Sequence, residues 1–230
     1  ENYIVATIKA WNWNCFEETI CHFPGNWKLI SDPSELNADL VNSFKPKYIF
    51  FPHWSVIVPD EILDIAECIC FHETDLPYGR GGSPLQNLIA NGHRKTMMSA
   101  IRMVSELDAG PVYLKRELSL DGLAEEIFIR SASLVAEMIK TIISENPEPV
   151  EQSGKPTLFS RRTPGQSRID QTISTLDQLF DHIRMLSADS YPPAFIEHEG
   201  FRYEFSRPAR KTDDLLCDVR ISRIKEPCDD

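Results

Sequence analysis

The chain has 230 residues, 42% of them hydrophobic and 26% charged, with a formal net charge of −11 and a pI of about 5.0. That is an ordinary globular composition, long enough for one good core plus a small appendage. An acidic surface lacks the basic stripe that nucleic-acid binders carry, so no nucleic-acid partner is expected. No apolar run reaches 18 residues and no basic leader precedes an apolar core, so neither membrane nor export is expected. The six cysteines (15, 21, 68, 70, 217 and 228) show no paired metal-ligand spacing. Reduced thiols in a cytoplasmic protein, with no bound metal, are the simplest account.

In chain order, Asn2 to Ile8 reads as a β-branched opening strand, followed by the loop Lys9 to Asn14 and a helix-like Cys15 to His22. This first βα turn carries no G-x-G-x-x-G, so dinucleotide binding is unsupported. Trp11 and Trp13 read either as stacking partners for a ligand ring or as caps on the sheet edge. Asn12 and Asn14 are hydrogen-bonding candidates on the same terms. Trp27 to Ile30 reads as a strand, Ser34 to Phe44 as a helix, Tyr48 to Phe51 as a buried strand and Asp60 to Ala66 as a short helix. Cys68 to Phe71 is another buried strand. It leads into His72 and a loop dense in Pro and Gly, Asp75-Leu76-Pro77-Tyr78-Gly79-Arg80-Gly81-Gly82-Ser83-Pro84. A helical pattern at Leu85, Leu88 and Ile89 stops at Asn91-Gly92. The apolar stretch Met97 to Val104 ends on the tight turn Leu107-Asp108-Ala109-Gly110-Pro111, and Pro111 to Lys115 follows as a strand. Ala124 to Ser144 has helical spacing throughout and reads as a core-facing helix.

Strands alternating with helices give an α/β, Rossmann-like domain with a largely parallel sheet over residues 1–147. Glu145 to Pro149 marks a boundary. Residues 148–230 read as a linker and a small C-terminal α+β domain, with a helix over Ile173 to Leu186, a hairpin around Glu199-Gly200 and a further strand from Leu216 to Ile224.

Reactive side chains at strand ends on Gly-rich loops are where such sheets build active sites. His72 and Asp108 read as a general-base pair, with the carboxylate fixing the imidazole tautomer. Equally, they read as a hydrogen-bonded core histidine and a turn aspartate. The glycines of the loop favour the first reading, because they let backbone N–H groups approach a ligand.

His72-Glu73-Thr74-Asp75-Leu76-Pro77, Arg80-Gly81-Gly82-Ser83-Pro84 and Leu107-Asp108-Ala109-Gly110 together resemble the folate-dependent formyltransferase family. Its signature is Asn-x-His-x-Ser-x-Leu-Pro, an Arg-Gly and a later Leu-Asp-x-Gly. The step of 108 − 72 = 36 residues fits too, and the resemblance covers about Phe50 to Leu114. It implies N10-formyltetrahydrofolate as co-substrate, with the pterin near the loop of Ser55, Val56, Ile57, Val58 and Pro59 and near Leu107, Ala109 and Gly110. His53 and Trp54 are candidate liners, and a lone His at a strand end such as His53 reads also as a structural residue. It implies catalytic roles for His72 and Asp108. Arg80, Gly81, Gly82 and Ser83 are expected to shape the acceptor pocket and Thr74 to position the donor, and Trp11 and Asn12 are candidate substrate contacts. One position departs: Cys70 stands where the family has the Asn that donates to the formyl oxygen. A thiol is a weak donor, and losing such a donor costs about 10²–10³ in rate. Cys70 is on the same strand face as His72, which also admits a nucleophile reading.

Ile183-Arg184-Met185-Leu186 and Tyr191-Pro192-Pro193-Ala194-Phe195 resemble the tail of the sugar-modifying members. The expected reaction is formylation of a nucleotide-linked amino sugar, of the UDP-4-amino-4,6-dideoxy type used for pseudaminic acid and surface glycans. The alternatives are a phosphoribosylglycinamide-type transferase or a catalytically impaired folate- or nucleotide-sugar-binding protein. The edge of the C-terminal hairpin suggests a homodimer.

Overall fold

The apolar runs rich in β-branched and aromatic residues form strands, and the 3.6-period runs form helices, in the computed structural model, which describes residues 1–189 and 191–224. Cys228 lies outside the described residues. The elements are β1 (Asn2–Ala6), α1 (Ala10–Glu18), β2 (Asn26–Ile30), α2 (Ala38–Phe44), β3 (Tyr48–Pro52), α3 (Asp60–Ile65), β4 (Glu67–His72) and β5 (Arg80–Gly81). They continue with α4 (Pro84–Ala90), β6 (Lys95–Arg102), β7 (Val112–Ser119), α5 (Ala124–Glu145) and β8 (Leu158–Phe159). The C-terminal part holds α6 (Leu176–Arg184), β9 (Ala194–His198), β10 (Phe201–Arg210) and β11 (Leu215–Arg223).

The main sheet has the order β2-β1-β3-β4-β6-β7. Its first four strands are parallel, and β6 and β7 are antiparallel. The expected α/β fold with a mostly parallel sheet is therefore present, followed by the small antiparallel sheet β11-β10-β9. β3 is buried at all five positions, as a parallel strand covered on both faces must be. One face packs Phe50, Ile69 and Phe71 against α5 residues such as Phe128, Val135 and Ile139. The other packs Ile49, Phe51 and Cys68 with Val41 of α2 and Ile62 of α3.

Three helix starts differ from the sequence reading. The smallest shift is that of α6, which begins at Leu176 rather than Ile173, after Thr175, whose Oγ1 accepts from the Gln178 N–H at 3.1 Å. α1 begins at Ala10 rather than Cys15, with no side-chain cap. Trp11 stacks on Phe128 with ring centroids 5.0 Å apart, a tertiary contact that overrides the weak helix propensity of Trp-Asn-Trp-Asn. α2 begins after Asn37, whose Oδ1 accepts from the Leu40 N–H at 2.9 Å. The earlier cap residue, Asp32, closes only a 3₁₀ turn over Pro33–Glu35.

The C-terminal part docks on the main core through Ile183, Met185, Leu186 and Ala194. Arg184, 1% exposed, donates from Nη1 to the carbonyls of Leu120 at 2.6 Å and Gly122 at 2.9 Å. These bonds cap the turn between β7 and α5, where buried carbonyls need donors.

Candidate active site

The register Pro52↔Phe71 between β3 and β4 sets the carboxyl ends of both strands side by side, the usual place for a site in an open α/β sheet. His72 ends β4 and is buried. Its Nε2 lies 2.7 Å from the Gly79 carbonyl. A carbonyl only accepts, so Nε2 carries the hydrogen and Nδ1 is left basic in the neutral ring. Nδ1 faces Asp108 Oδ2 at 3.6 Å, with both side chains about nine-tenths buried. Asp108 sits in the left-handed region at φ 53, and its Oδ2 also accepts from the Gly81 N–H at 2.9 Å. The sequence-predicted pair is thus brought together.

The Pro/Gly loop is ordered from two sides. Thr74 Oγ1 donates to the Gly79 carbonyl at 3.2 Å, and Ser99 Oγ donates to the Thr74 carbonyl at 2.7 Å. Gly79, at φ 71, admits no side chain, since a Cβ there would meet the Phe159 ring at 2.7 Å. Its N–H donates to Thr157 Oγ1 at 2.7 Å. Residues 157–159 run beside the loop as β8 paired with β5, adding Arg80 N–H to Thr157 O at 2.9 Å and Gly82 N–H to Phe159 O at 3.2 Å. Sequence reasoning treated this stretch as a plain linker. The apolar pair Leu158-Phe159 in polar surroundings was its one signal.

Arg80 donates from Nε and Nη2 to Gln152 Oε1 at 3.1 and 2.9 Å. Gly82 packs on Arg161, where a Cβ would come within 2.6 Å, and the Arg162 N–H donates to Ser83 Oγ at 3.1 Å. Three arginines therefore stand beside the Gly-rich loop.

Cys70 is half-buried. Burial, and next the charge of Asp108, push its thiol well above the ordinary thiol range. A thiol held neutral is a poor nucleophile, so the geometry favours the weak-donor reading.

The opposite wall is apolar and open. Val56 is 45%, Ile57 91% and Leu107 70% exposed, and Ser55 and Pro59 are exposed as well. Val58 is buried and shares a cluster with Trp54, Cys70 and Met103. The Trp54 indole Nε1 is buried without a partner. Ala109 is half-buried and Gly110 buried, the latter because its Cα lies tight against the Arg102 carbonyl. Exposed apolar side chains with an orphaned indole donor beside them suit a heteroaromatic ring ligand.

Three expected liners are packed against core groups. Trp11 is buried against Phe128. Asn12 is buried, with Nδ2 donating to Thr7 Oγ1 at 3.2 Å and to the Pro52 carbonyl at 3.4 Å. His53 lies edge-on against the stacked Trp11 and Phe128 rings. Burial lowers its pKa to about 4, with the Lys9 charge adding to the effect. No cluster of metal-ligating side chains occurs among the described residues, and none of their helices is long and apolar enough to cross a membrane.

Residues 164–222 match the family model described as the methionyl-tRNA formyltransferase C-terminal domain. A methionyl-tRNA formyltransferase from Bacillus velezensis is 31% identical over 175 residues, covering 72% of this chain and 54% of that protein. The chain thus spans about half the length of such relatives. A solved structure described as methionyl-tRNA formyltransferase from Clostridium thermocellum is 42% identical, covers 96% of this chain and 99% of its own, and superposes with a TM-score of 0.94. A 4-N formyltransferase from Francisella tularensis shares the fold at 16% identity and a TM-score of 0.67.

These likenesses overturn the nucleotide-sugar acceptor and the absence of a nucleic-acid partner. The acceptor failed because the branch was read from the tail, while the motifs around His72 and Asp108 resemble the family as a whole. The tail, read as that of the sugar-modifying members, matches the methionyl-tRNA formyltransferase C-terminal domain model. Net charge misled because it sums the whole surface and says nothing of where Arg80, Arg161 and Arg162 stand. With 42% identity over nearly the full length of both chains, this chain belongs to the formyltransferase family.

Proposed function

We propose that the chain transfers a formyl group to the α-amine of methionyl-tRNA. The donor is N10-formyltetrahydrofolate, the co-substrate of the family, which supplies the formyl carbon as an electrophile. The observation that carries the reading is the tautomer of His72: Nε2–H is committed to Gly79, which leaves Nδ1 basic beside Asp108.

In this reading the amine nitrogen bonds to the formyl carbon and loses a proton to His72 Nδ1. The bond from formyl carbon to N10 breaks, and N10 takes up a proton, leaving tetrahydrofolate and the formyl amide. Asp108 stabilises the imidazolium formed on the way. The Cys70 thiol faces the charge developing on the formyl oxygen, since the backbone N–H groups of residues 79–82 are committed to Thr157, Asp108 and Phe159. A thiol is a weak donor. Ser55 to Pro59, with Leu107, Ala109 and Gly110, hold the pterin. Thr74 shapes the loop through Gly79, and Arg80, Gly81, Gly82 and Ser83, with Arg161 and Arg162, face the acceptor and its phosphates.

The test is incubation with N10-formyltetrahydrofolate and methionyl-tRNA, with release of the amino acid and its mass. Gain of one formyl group on methionine is expected. Unmodified methionine in a sample that binds tetrahydrofolate tightly would overturn the acceptor.

A further inference from the structure

We infer that Gln152, in the stretch between the two parts of the chain, is a positioning residue that locks the Asp108 turn to the Arg80 loop. The inference rests on the reaction proposed above and deepens it. Gln152 Nε2 donates to the Asp108 carbonyl at 2.7 Å and to the Gly110 carbonyl at 2.9 Å. Its Oε1 accepts from Arg80 Nε at 3.1 Å and Nη2 at 2.9 Å. Both donors and both lone pairs of one amide are thereby used on the two loops that carry the site. Asp108 is at φ 53, a conformation that persists for a non-glycine residue only where the surroundings fix it. The Gln152 donors fix the carbonyls on either side of Ala109, so the Asp108 carboxylate stays on His72 Nδ1 and the Gly81 N–H.

The amide is also neutral. It orients Arg80 without cancelling its charge. The acid paired with Arg80 is Glu106, whose side chain is 77% exposed and screened by water.

Two variants separate positioning from packing. Gln152→Met keeps the length and removes all four bonds. Gln152→Glu keeps the acceptor for Arg80, loses the donors and adds a charge. The groups facing the His72 ring are Asp108, from the turn after β6, and the Gly79 carbonyl. Gln152→Met is expected to lower kcat for methionyl-tRNA by up to about 100-fold, the loss that a displaced catalytic group brings, with tetrahydrofolate binding within about twofold. In the substrate-free protein, the Gly81 amide proton, which is bonded to Asp108 Oδ2 at 2.9 Å, is expected to shift upfield by NMR in both variants as the carboxylate leaves. A merely structural glutamine would lower thermal stability and leave that resonance where it was. Wild-type kcat in Gln152→Met, or an unmoved Gly81 resonance in either variant, would overturn the inference. If the wild-type protein formylates no methionyl-tRNA while the resonance still moves, the acceptor falls and the positioning role stands.

Discussion

The two walls of the site are built in opposite ways. The wall made by residues 77–83 is tied down at nearly every peptide: to Thr157 and Phe159 by backbone pairing, to Asp108 through the Gly81 N–H and to Gln152 through Arg80. The wall made by residues 55–57 and Leu107 is bare. Ile57 is 91% exposed, and neither Val56 nor Ile57 makes a hydrogen bond among the described residues. Proton transfer needs atoms held to fractions of an ångström, whereas an apolar slot gains affinity from area with little demand on direction. On the function proposed above, the tied wall carries the chemistry and the bare one holds the donor.

The largest effect falls on the tied wall. His72→Asn removes the base and is expected to lower kcat about 10²–10⁴-fold, with the tetrahydrofolate Kd unchanged by fluorescence titration. If kcat survives and Kd rises instead, the assignment of the walls is reversed. Cys70→Asn sharpens the same comparison in the other direction. It restores a strong amide donor beside His72, so single-turnover formylation is expected to quicken about tenfold or more, given what one such donor contributes. A slower variant with intact folate binding would show that the thiol position does not face the formyl oxygen.

A smaller effect belongs to the bare wall. Ile57→Ala removes most of a side chain that a bound ring would cover. Burial of that area is worth roughly 1–2 kcal/mol, which weakens tetrahydrofolate binding by about tenfold. Saturating kcat is expected to stay at the wild-type value. A loss of kcat at saturation would mean that this wall also orients the formyl group.

How much of this was legible in the sequence follows the same division. The strands, α5 and the His72–Asp108 pair could be read because their signals are local: period, turn chemistry and a composite motif. Gln152 could not be read, since it reaches Asp108 across 44 positions of sequence and nothing in its neighbourhood marks it. The start of α1 was missed because Trp11 is held by Phe128 rather than by any cap. The acceptor was misread because the branch was read from the tail, while the motifs around His72 and Asp108 resemble the family as a whole. Gln152 and the start of α1 share one cause, a long-range contact that no local signal announces.

The smallest effect on turnover, and an informative one, lies just behind the tied wall. Glu73 follows His72, but its carboxyl is buried, 8% exposed. Burial raises its pKa to about 7, against a hydrogen bond from Ser131 that pulls the other way. In the unfolded chain the same carboxyl ionises near 4.3. Folding therefore favours the protonated form: the stability this group contributes is fully present below about pH 4.3 and is lost as pH rises to about 7. Above that, ionised Glu73 costs on the order of 3 kcal/mol relative to its protonated form. Glu73→Gln fixes the neutral state in the same shape. Its urea midpoint is expected to exceed wild type above pH 7 and to converge on it below pH 5, with kcat changed less than about twofold, as for a surface-remote isostere. Parallel midpoints across that range would show that Glu73 is already solvated when ionised. A large loss of kcat in the variant would instead bring Glu73 into the proton path of His72 and carry the tied wall one residue further into the core.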